Sequence, residues 1–208
     1  MSTQSLNQFD WVAPFYDALA RIVYGRSIRL AQTSFLNQIN PGSRVLVIGG
    51  GTGWWLPDLL RSVPDIRVCF VEASGKMLTA ASCRVKSGSV EFIHGTVWDI
   101  PPANSYDVVI THFFLDLFNE SALRILVDKI ESQLTPGGQW LIADFVNKRW
   151  WHAACLSLMY FFFFLTCSVK TRSLPSWRKV LEETLKCKME TSFYGDFISS
   201  CSFVRQPG

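Results

Sequence analysis

The sequence has little charge, few histidines and no grouped cysteines, and each shortage argues against a class of function. Charged residues make up 18% of the 208 residues and the net charge is only +3, so nucleic-acid binding is not expected. The three histidines and six cysteines form no C-x-x-C pair and no metal-like grouping, which predicts no metal site and reduced core cysteines. The first five residues lack the basic and apolar segments of a signal peptide, so we expect a cytoplasmic protein.

A glycine turn is the most informative feature that is present. The apolar run Val45–Ile48 is followed by Gly49, Gly51 and Gly53, and helically spaced apolar residues come after them. This pattern predicts a buried parallel strand, a tight turn and a helix N-terminus, where backbone can approach a nucleotide-like ligand closely. The alternative is a tight strand-to-helix turn in some other α/β protein.

The residues around the turn narrow the choice of nucleotide. Trp54 and Leu56 stand where the dinucleotide fingerprint needs its third glycine, and no Gly-Lys-Ser/Thr follows as in a P-loop. Glu72 comes 19 residues after Gly53, at the end of a second apolar strand, where a carboxylate can accept hydrogen bonds from a ribose diol. A nucleoside without a phosphate chain therefore fits better than NAD or ATP.

Four landmarks in order make the chain resemble a class I S-adenosylmethionine (SAM)-dependent methyltransferase, close to the ubiquinone/menaquinone-type C-methyltransferases. They are the Phe-Asp-x-Val-Ala-x-x-Tyr-Asp-like segment 9–17, the glycine turn, Val71-Glu72-Ala73-Ser74 with Met77-Leu78, and the segment Leu134–Gly138 before a strand. The resemblance runs from Phe9 to about Phe145. It implies SAM as the cofactor and transfer of a methyl group as the activity.

Alternating patterns predict the fold. Helices are predicted over 9–38, 56–62, 75–86, 119–134 and 176–186, and strands near 44–48, 67–71, 90–94, 107–111, 138–145, 188–194 and 198–205. Only Gly195-Asp196 separates the last two strands, so they form an antiparallel hairpin. With the resemblance, this gives an α/β, Rossmann-like, doubly wound seven-stranded sheet, mostly parallel with an antiparallel C-terminal strand. We expect one methyltransferase domain over 1–208: a helical cap (1–40), a SAM-binding core (41–145), a helical roof (146–180) and a C-terminal helix end and hairpin (181–208).

The resemblance also implies which residues contact the cofactor, and the chain departs from the family at two of the usual positions. Val47 stands where an acidic residue is usual, and Thr96 replaces an aspartate that contacts adenine, so affinity is lower or other residues compensate. Met77 has ordinary helix packing as an equal alternative, and Tyr16 could instead be a core tyrosine. The expected contacts are Tyr16, Gly49, Gly51, Thr52, Gly53, Glu72, Ala73, Met77, Thr96, Val97, Trp98, Thr111 and Phe113.

Two residues after the fourth strand are candidates for catalysis. Methyl transfer needs mainly orientation and exclusion of water, but some acceptors also need a general base. His112 and Asp116 are four residues apart and would share a face if that segment were helical. The alternatives are a buried histidine satisfied by backbone and an exposed aspartate.

Residues 153–169 contain no charge and include Phe161–Phe164, with basic residues on both sides. Seventeen residues lie near the lower limit for a membrane span, but a span would cut the last two strands away from the sheet. The resemblance implies a helical roof over the acceptor instead. We therefore expect a small, hydrophobic or aromatic acceptor, quinone- or lipid-like, reached by peripheral contact with a membrane. Two other readings stay open: a SAM-binding protein with weak or no activity that acts as an interaction module, and a Rossmann-type oxidoreductase.

Overall fold

A computed structural model describes residues 23–85, 88–100, 105–167 and 174–205, and it leaves out the side chains of Met159 and of residues 161–167. The described helices are α1 (Ser27–Thr33), α2 (Leu56–Ser62), α3 (Gly75–Arg84), α4 (Glu120–Glu131), α5 (Trp150–Cys167) and α6 (Trp177–Glu182). The strands are β1 (Arg44–Ile48), β2 (Arg67–Glu72), β3 (Val90–His94), β4 (Tyr106–His112), β5 (Leu134–Phe145), β6 (Leu185–Phe193) and β7 (Ile198–Arg205).

The seven strands form one sheet in the order β3-β2-β1-β4-β5-β7-β6. The pairs from β3 to β5 are all parallel, β7 is antiparallel to β5, and β6 is antiparallel to β7. This confirms the predicted fold class, including the reversed strand and the C-terminal hairpin. The order in which the chain adds strands reverses between β1 and β4, at the centre of the sheet, and open α/β sheets bind ligands beside such a switch point.

Apolar side chains cover both faces of the sheet, because its central strands are buried almost throughout. One core packs α4 and α6 on one face through residues such as Leu126 and Trp177. The other packs α2 and α3 on the opposite face through residues such as Leu59 and Ala81. A third cluster lies at the carboxyl end of β5, beneath α5, and includes Phe145, Leu156 and Phe197.

Several predicted bounds are wrong, each for a local reason. The helix expected over 9–38 is interrupted at Gly25, whose φ of 57° is left-handed; residues 9–22 lie outside the described ranges. The helix expected over 119–134 begins at Glu120, since the Asn119 side chain accepts a hydrogen bond from Ala122 N and caps it. The last predicted helix ends at Glu182, and β6 begins at Leu185, three residues early.

The described cysteines are free thiols, as expected. Cys69 and Cys201 are buried, but Cys83 is exposed on α3, so the prediction of core positions is wrong there. Among the described residues, no group of three or more histidines, cysteines and acids is arranged to hold a metal ion.

Candidate active site

The glycine turn after β1 brings bare backbone to the carboxyl edge of the sheet. Gly49, Gly51 and Gly53 all have φ near 60°, a conformation that side chains rarely adopt. A Cβ at Gly49 would collide with the Phe114 ring, and a Cβ at Gly50 would collide with the Phe70 ring. A Cβ at Gly51 would meet nothing within 4 Å. The turn is therefore packed on its inner side and open at Gly51.

Glu72, at the end of β2, ties this turn to the next one. Its Oε2 accepts a hydrogen bond of 2.8 Å from Gly51 N, and its Oε1 accepts one of 2.8 Å from Ser74 N. Glu72 is buried; burial raises the pKa of its carboxyl, and the backbone donors oppose that rise. Ala73 N–H is a third backbone donor to this carboxylate, so about one of its four lone-pair sites remains for a hydroxyl of a ligand.

The turn after β3 contains an acid that the sequence did not point to. Thr96 begins a 3-10 turn, Val97–Asp99, in which Asp99 Oδ2 accepts from Thr96 N at 2.7 Å and from Thr96 Oγ1 at 2.8 Å. These bonds lower the pKa of the exposed Asp99 carboxyl. A carboxylate is thus present in this turn although Thr96 is not acidic. Trp98 beside it is 57% exposed, whereas Val97 is buried in the core.

The end of β4 sends consecutive side chains to opposite faces of the sheet. Thr111 is buried and its hydroxyl accepts a hydrogen bond of 2.9 Å from Trp140 Nε1. The His112 ring packs edge-on against Trp55, with centroids 4.9 Å apart. Neither ring nitrogen of His112 has a hydrogen-bond partner among the described residues, and burial lowers its pKa to about 3. His112 is therefore a neutral core residue.

Asp116 lies apart from His112, because the segment after β4 is not one helix. Phe113 has a φ of 53°, and Asp116 follows in a 3-10 turn, Leu115–Leu117. The condition for a common helical face of His112 and Asp116 is therefore not met. Asp116 is 3% exposed, its Oδ1 has no described hydrogen-bond partner, and burial raises its pKa to about 7.

A second buried carboxylate, Asp144, lies next to Asp116 at the end of β5. Its Oδ2 accepts from Leu115 N at 3.0 Å and its Oδ1 accepts from Phe145 N at 2.8 Å. Burial and repulsion from Asp116 raise the pKa of the Asp144 carboxyl. Burial, and after it repulsion from both aspartates, raises the pKa of Tyr160, whose buried hydroxyl lacks a described partner. Asp144 carried no signal in the sequence, and Tyr160 was indicated only as one aromatic residue of the predicted roof.

Aromatic rings pack against one another at the carboxyl end of β5, beneath α5. Tyr24 lies with its ring centroid 5.5 Å from Phe145 and 5.4 Å from Tyr194, and Phe145 lies 5.0 Å from Phe113. We call these rings, together with Trp151, Tyr160 and Phe197, the roof cluster. The side chains of Phe161–Phe164, predicted to belong to the roof, lie outside the described residues.

Comparison with known proteins identifies the family of this fold and site. A methyltransferase-domain family matches residues 45–138. Over 205 aligned residues the chain is 31% identical to the ubiquinone/menaquinone biosynthesis C-methyltransferase UbiE of Ectopseudomonas mendocina, covering 87% of this chain and 77% of that protein. The chain belongs to the SAM-dependent methyltransferases.

Two further matches show how much of its relatives' length the chain covers. It is 28% identical over 140 residues to a malonyl-[acyl-carrier protein] O-methyltransferase of Priestia megaterium, covering 67% of this chain and 50% of that protein, so it spans about half the length of that relative. The DhpI–SAH complex structure has a TM-score of 0.73 at 19% identity, covering 99% of this chain and 98% of that one, which extends the likeness of fold to nearly the whole chain.

A buried histidine holds the start of helix α5 in place. His152 Nδ1 accepts from Lys148 N at 3.0 Å and from Arg149 N at 3.3 Å, so its Nε2 donates to Gly195 O, 3.1 Å away. The Arg149–Asp196 ion pair joins the same two segments. Helix α5 is thus held to the β6–β7 hairpin. In the described ranges, no helix has the length and apolar character needed to cross a bilayer.

The expected cofactor residues fall into two groups. Gly49, Gly51, Thr52 and Gly53 lie in one turn, and Glu72 joins it to Ala73 and Ser74. Met77 is 5% exposed, which fits the packing alternative, and Val47 is buried in the core beneath the turn. Thr96, Val97 and Trp98 form the neighbouring turn, whereas the Thr111 hydroxyl is bonded within the core. Tyr16 lies outside the described residues.

Proposed function

We propose that this methyltransferase transfers the methyl group of SAM to a small apolar or aromatic acceptor held beneath α5. The observation that carries the proposal is the contact between the glycine turn and the segment after β4, where Phe114 fills the space beside Gly49. Phe113, the neighbouring residue, belongs to the roof cluster. The glycine turn, to which we assign SAM, therefore lies beside the roof cluster, to which we assign the acceptor.

The residues on the β1–β2 side fit SAM. The open side of Gly51 admits a ligand against bare backbone, and Glu72 faces that turn with acceptor capacity left for a ribose hydroxyl. We assign the remaining backbone contacts to Gly49, Thr52, Gly53 and Ala73, with Met77 packed nearby. Asp99 supplies the carboxylate that Thr96 lacks, and the exposed Trp98 lies beside it.

The residues on the β4–β5 side fit an acceptor with a ring or an apolar body. The roof cluster offers ring faces and edges at centroid distances of 5.0 to 6.4 Å, typical of aromatic packing. SAM supplies an activated methyl when it is bound. The task of the chain is to orient the acceptor, exclude water and remove a proton where the acceptor has one to lose.

Of the two candidate catalytic residues, Asp116 is supported and His112 is not. The His112 ring is buried against Trp55, and its low pKa leaves it without a proton to give and weak as a base at neutral pH. Asp116 has an unpartnered oxygen and lies with Tyr160 of the roof cluster. We therefore propose Asp116 as the acid–base group.

The outer side of α5 supports peripheral contact with a membrane. Trp150 is 89% exposed and Leu158 is 71% exposed, and Ala154 between them completes an exposed apolar stripe at helical spacing. An acceptor that dissolves in lipid would be taken up at such a surface. The double variant Trp150→Ser/Leu158→Ser should bind phosphatidylcholine vesicles about tenfold less tightly in a sedimentation assay. Ile125→Ser, at an exposed apolar site on α4, is the matched control and should change nothing.

Calorimetric titration with SAM, S-adenosylhomocysteine and NAD tests the cofactor. Heat with the first two ligands and none with NAD is expected, and NAD binding alone would restore the oxidoreductase reading. A mass-spectrometric screen of apolar acceptors for the gain of one methyl then tests the activity. SAM binding without any methylated product would favour the alternative, a SAM-binding interaction module.

A further inference from the structure

The last residue of β3, His94, is hydrogen-bonded to the turn that follows β2. His94 is the register partner of Glu72 in the parallel ladder between the two strands. Its Nε2 lies 3.0 Å from Ala73 O, and because a carbonyl oxygen can only accept, Nε2 carries the proton and donates. An exposed histidine is thus bonded to the backbone directly beside the carboxylate that we assign to the ribose.

The carbonyl that accepts this bond belongs to a peptide group that also holds the Glu72 side chain. The nitrogen of the same peptide, Ser74 N, donates to Glu72 Oε1 at 2.8 Å. Hydrogen bonds at the two ends of one peptide strengthen each other, because a donor on the oxygen draws electron density away from the N–H. Glu72 Oε2 accepts from Gly51 N at 2.8 Å. A continuous chain of hydrogen bonds therefore runs from His94 through the Ala73–Ser74 peptide and Glu72 to the glycine turn.

The start of α3 packs against the imidazole ring and keeps it in this position. A Cβ at Gly75, the first residue of the helix, would lie 3.6 Å from His94 Cε1 and Nε2, so the ring lies over bare backbone there. The Ser74 hydroxyl caps the helix by accepting from Met77 N at 3.2 Å. Both ends of the peptide before the helix are thus held, its oxygen by the imidazole and its nitrogen by the carboxylate. Rotation of that peptide would break both bonds and turn its N–H away from the carboxylate.

We propose that His94 is a positioning residue of the cofactor site, which fixes the Ala73–Ser74 peptide so that Glu72 keeps the orientation needed to accept a ribose hydroxyl. This inference rests on the proposed assignment of Glu72 to the ribose of SAM. His94 contacts the backbone of the turn and acts on the cofactor through Glu72. Its loss should therefore weaken the part of the affinity that comes from the ribose hydroxyls and leave the remainder unchanged.

Three substitutions separate the hydrogen-bond donor of His94 from its ring. His94→Gln keeps an N–H donor close to the place of Nε2, His94→Asn holds its amide nitrogen too near the strand, and His94→Leu has no donor. In calorimetric titrations of the full chain with S-adenosylhomocysteine, His94→Gln should bind within about twofold of the wild type. The other two should bind about tenfold less tightly, the usual contribution of one hydrogen bond. Glu91→Leu puts the same leucine at another exposed position of β3, and this matched control should bind normally.

A second ligand distinguishes positioning of Glu72 from a general structural role. S-adenosylhomocysteine without its two ribose hydroxyls has nothing to donate to Glu72, so it should bind the wild type less tightly. His94→Leu should weaken that ligand less than about twofold, because the residue and the hydroxyls act on the same interaction. Equal weakening of the two ligands by His94→Leu would overturn the inference, as would a His94→Gln variant that binds as weakly as His94→Leu.

The wild-type titrations separate this inference from the proposed function. Absence of S-adenosylhomocysteine binding to the wild-type chain would overturn the proposed function itself. Equal binding of the two ligands to the wild type would leave the cofactor in place but would show that Glu72 does not hold the ribose, and the role of His94 would be refuted with that assignment.

Discussion

At the β1–β2 side of the site the Glu72 carboxylate has both oxygens hydrogen-bonded to backbone, whereas at the β4–β5 side Asp116 and Tyr160 each keep an unpartnered polar atom. The first side is ordered by turns whose shape follows from glycines and short-range hydrogen bonds. The second is ordered by aromatic packing around groups that are costly to bury. The proposed cofactor half, at the β1–β2 side, is therefore built for stability. The proposed acceptor half, at the β4–β5 side, retains buried polar atoms without hydrogen-bond partners among the described residues.

Removal of the Glu72 side chain should have the largest effect on the site. Glu72→Ala deletes the acceptor for Gly51 N and Ser74 N as well as the proposed ribose contact, so SAM affinity should fall about 1000-fold, the equivalent of roughly 4 kcal/mol. Calorimetry measures the change. Glu91→Ala, at an exposed acid on the neighbouring strand β3, is the matched control and should bind SAM normally. A loss of less than tenfold in Glu72→Ala would mean that the turn forms without its carboxylate.

In the proposed acceptor half, removing a charge should have the opposite effect. Loss of the Asp116 carboxylate should stabilise the fold. The pKa of Asp116 is raised to about 7, so between about pH 4 and pH 7 the folded chain binds more protons than the unfolded chain and loses stability as the pH rises. Asp116→Asn should therefore raise the free energy of unfolding above pH 7, by an amount on the order of 3 kcal/mol. Near pH 4 the gain should vanish. Chemical denaturation at both pH values checks this, and an equal effect at both would exclude a protonation cause.

The two sides of the site differ in how well the sequence predicts them. The glycine turn and Glu72 lie within 24 residues and on consecutive strands, so periodicity and spacing were enough to indicate them. Asp116, Asp144 and Tyr160 come from three separate elements, and no spacing rule joins them. His112 and Asp116 would share a helical face only in a helix, and the left-handed φ of Phe113 turns the chain at the end of β4 before a helix can begin. Sheet order and the hairpin were predictable, since alternating strands and helices admit few topologies.

A variant of Thr111 can show whether this residue packs the core or binds the cofactor. Sequence reasoning assigns it to the cofactor, but its hydroxyl accepts the indole N–H of fully buried Trp140. Thr111→Val keeps the shape and leaves that N–H unsatisfied, so it should lower the free energy of unfolding by about 1–3 kcal/mol. SAM affinity, measured by calorimetry in native buffer, should stay within twofold. An affinity loss of tenfold or more, with stability unchanged, would return Thr111 to the cofactor site.

The smallest expected effect concerns Asp99, which we infer replaces the acid missing at Thr96. Asp99→Ala should weaken SAM about fivefold, near 1 kcal/mol, because an exposed carboxylate contributes little through water. The variant also loses the capping contacts to Thr96, so the exchange Thr96→Asp/Asp99→Thr is the sharper test. It moves the carboxylate by three positions within one turn and should recover most of the affinity that Asp99→Ala loses. If both variants bind SAM as the wild type does, adenine is recognised elsewhere. If the exchange variant binds SAM as weakly as Asp99→Ala does, the site requires the Thr96 cap of the turn and not the carboxylate.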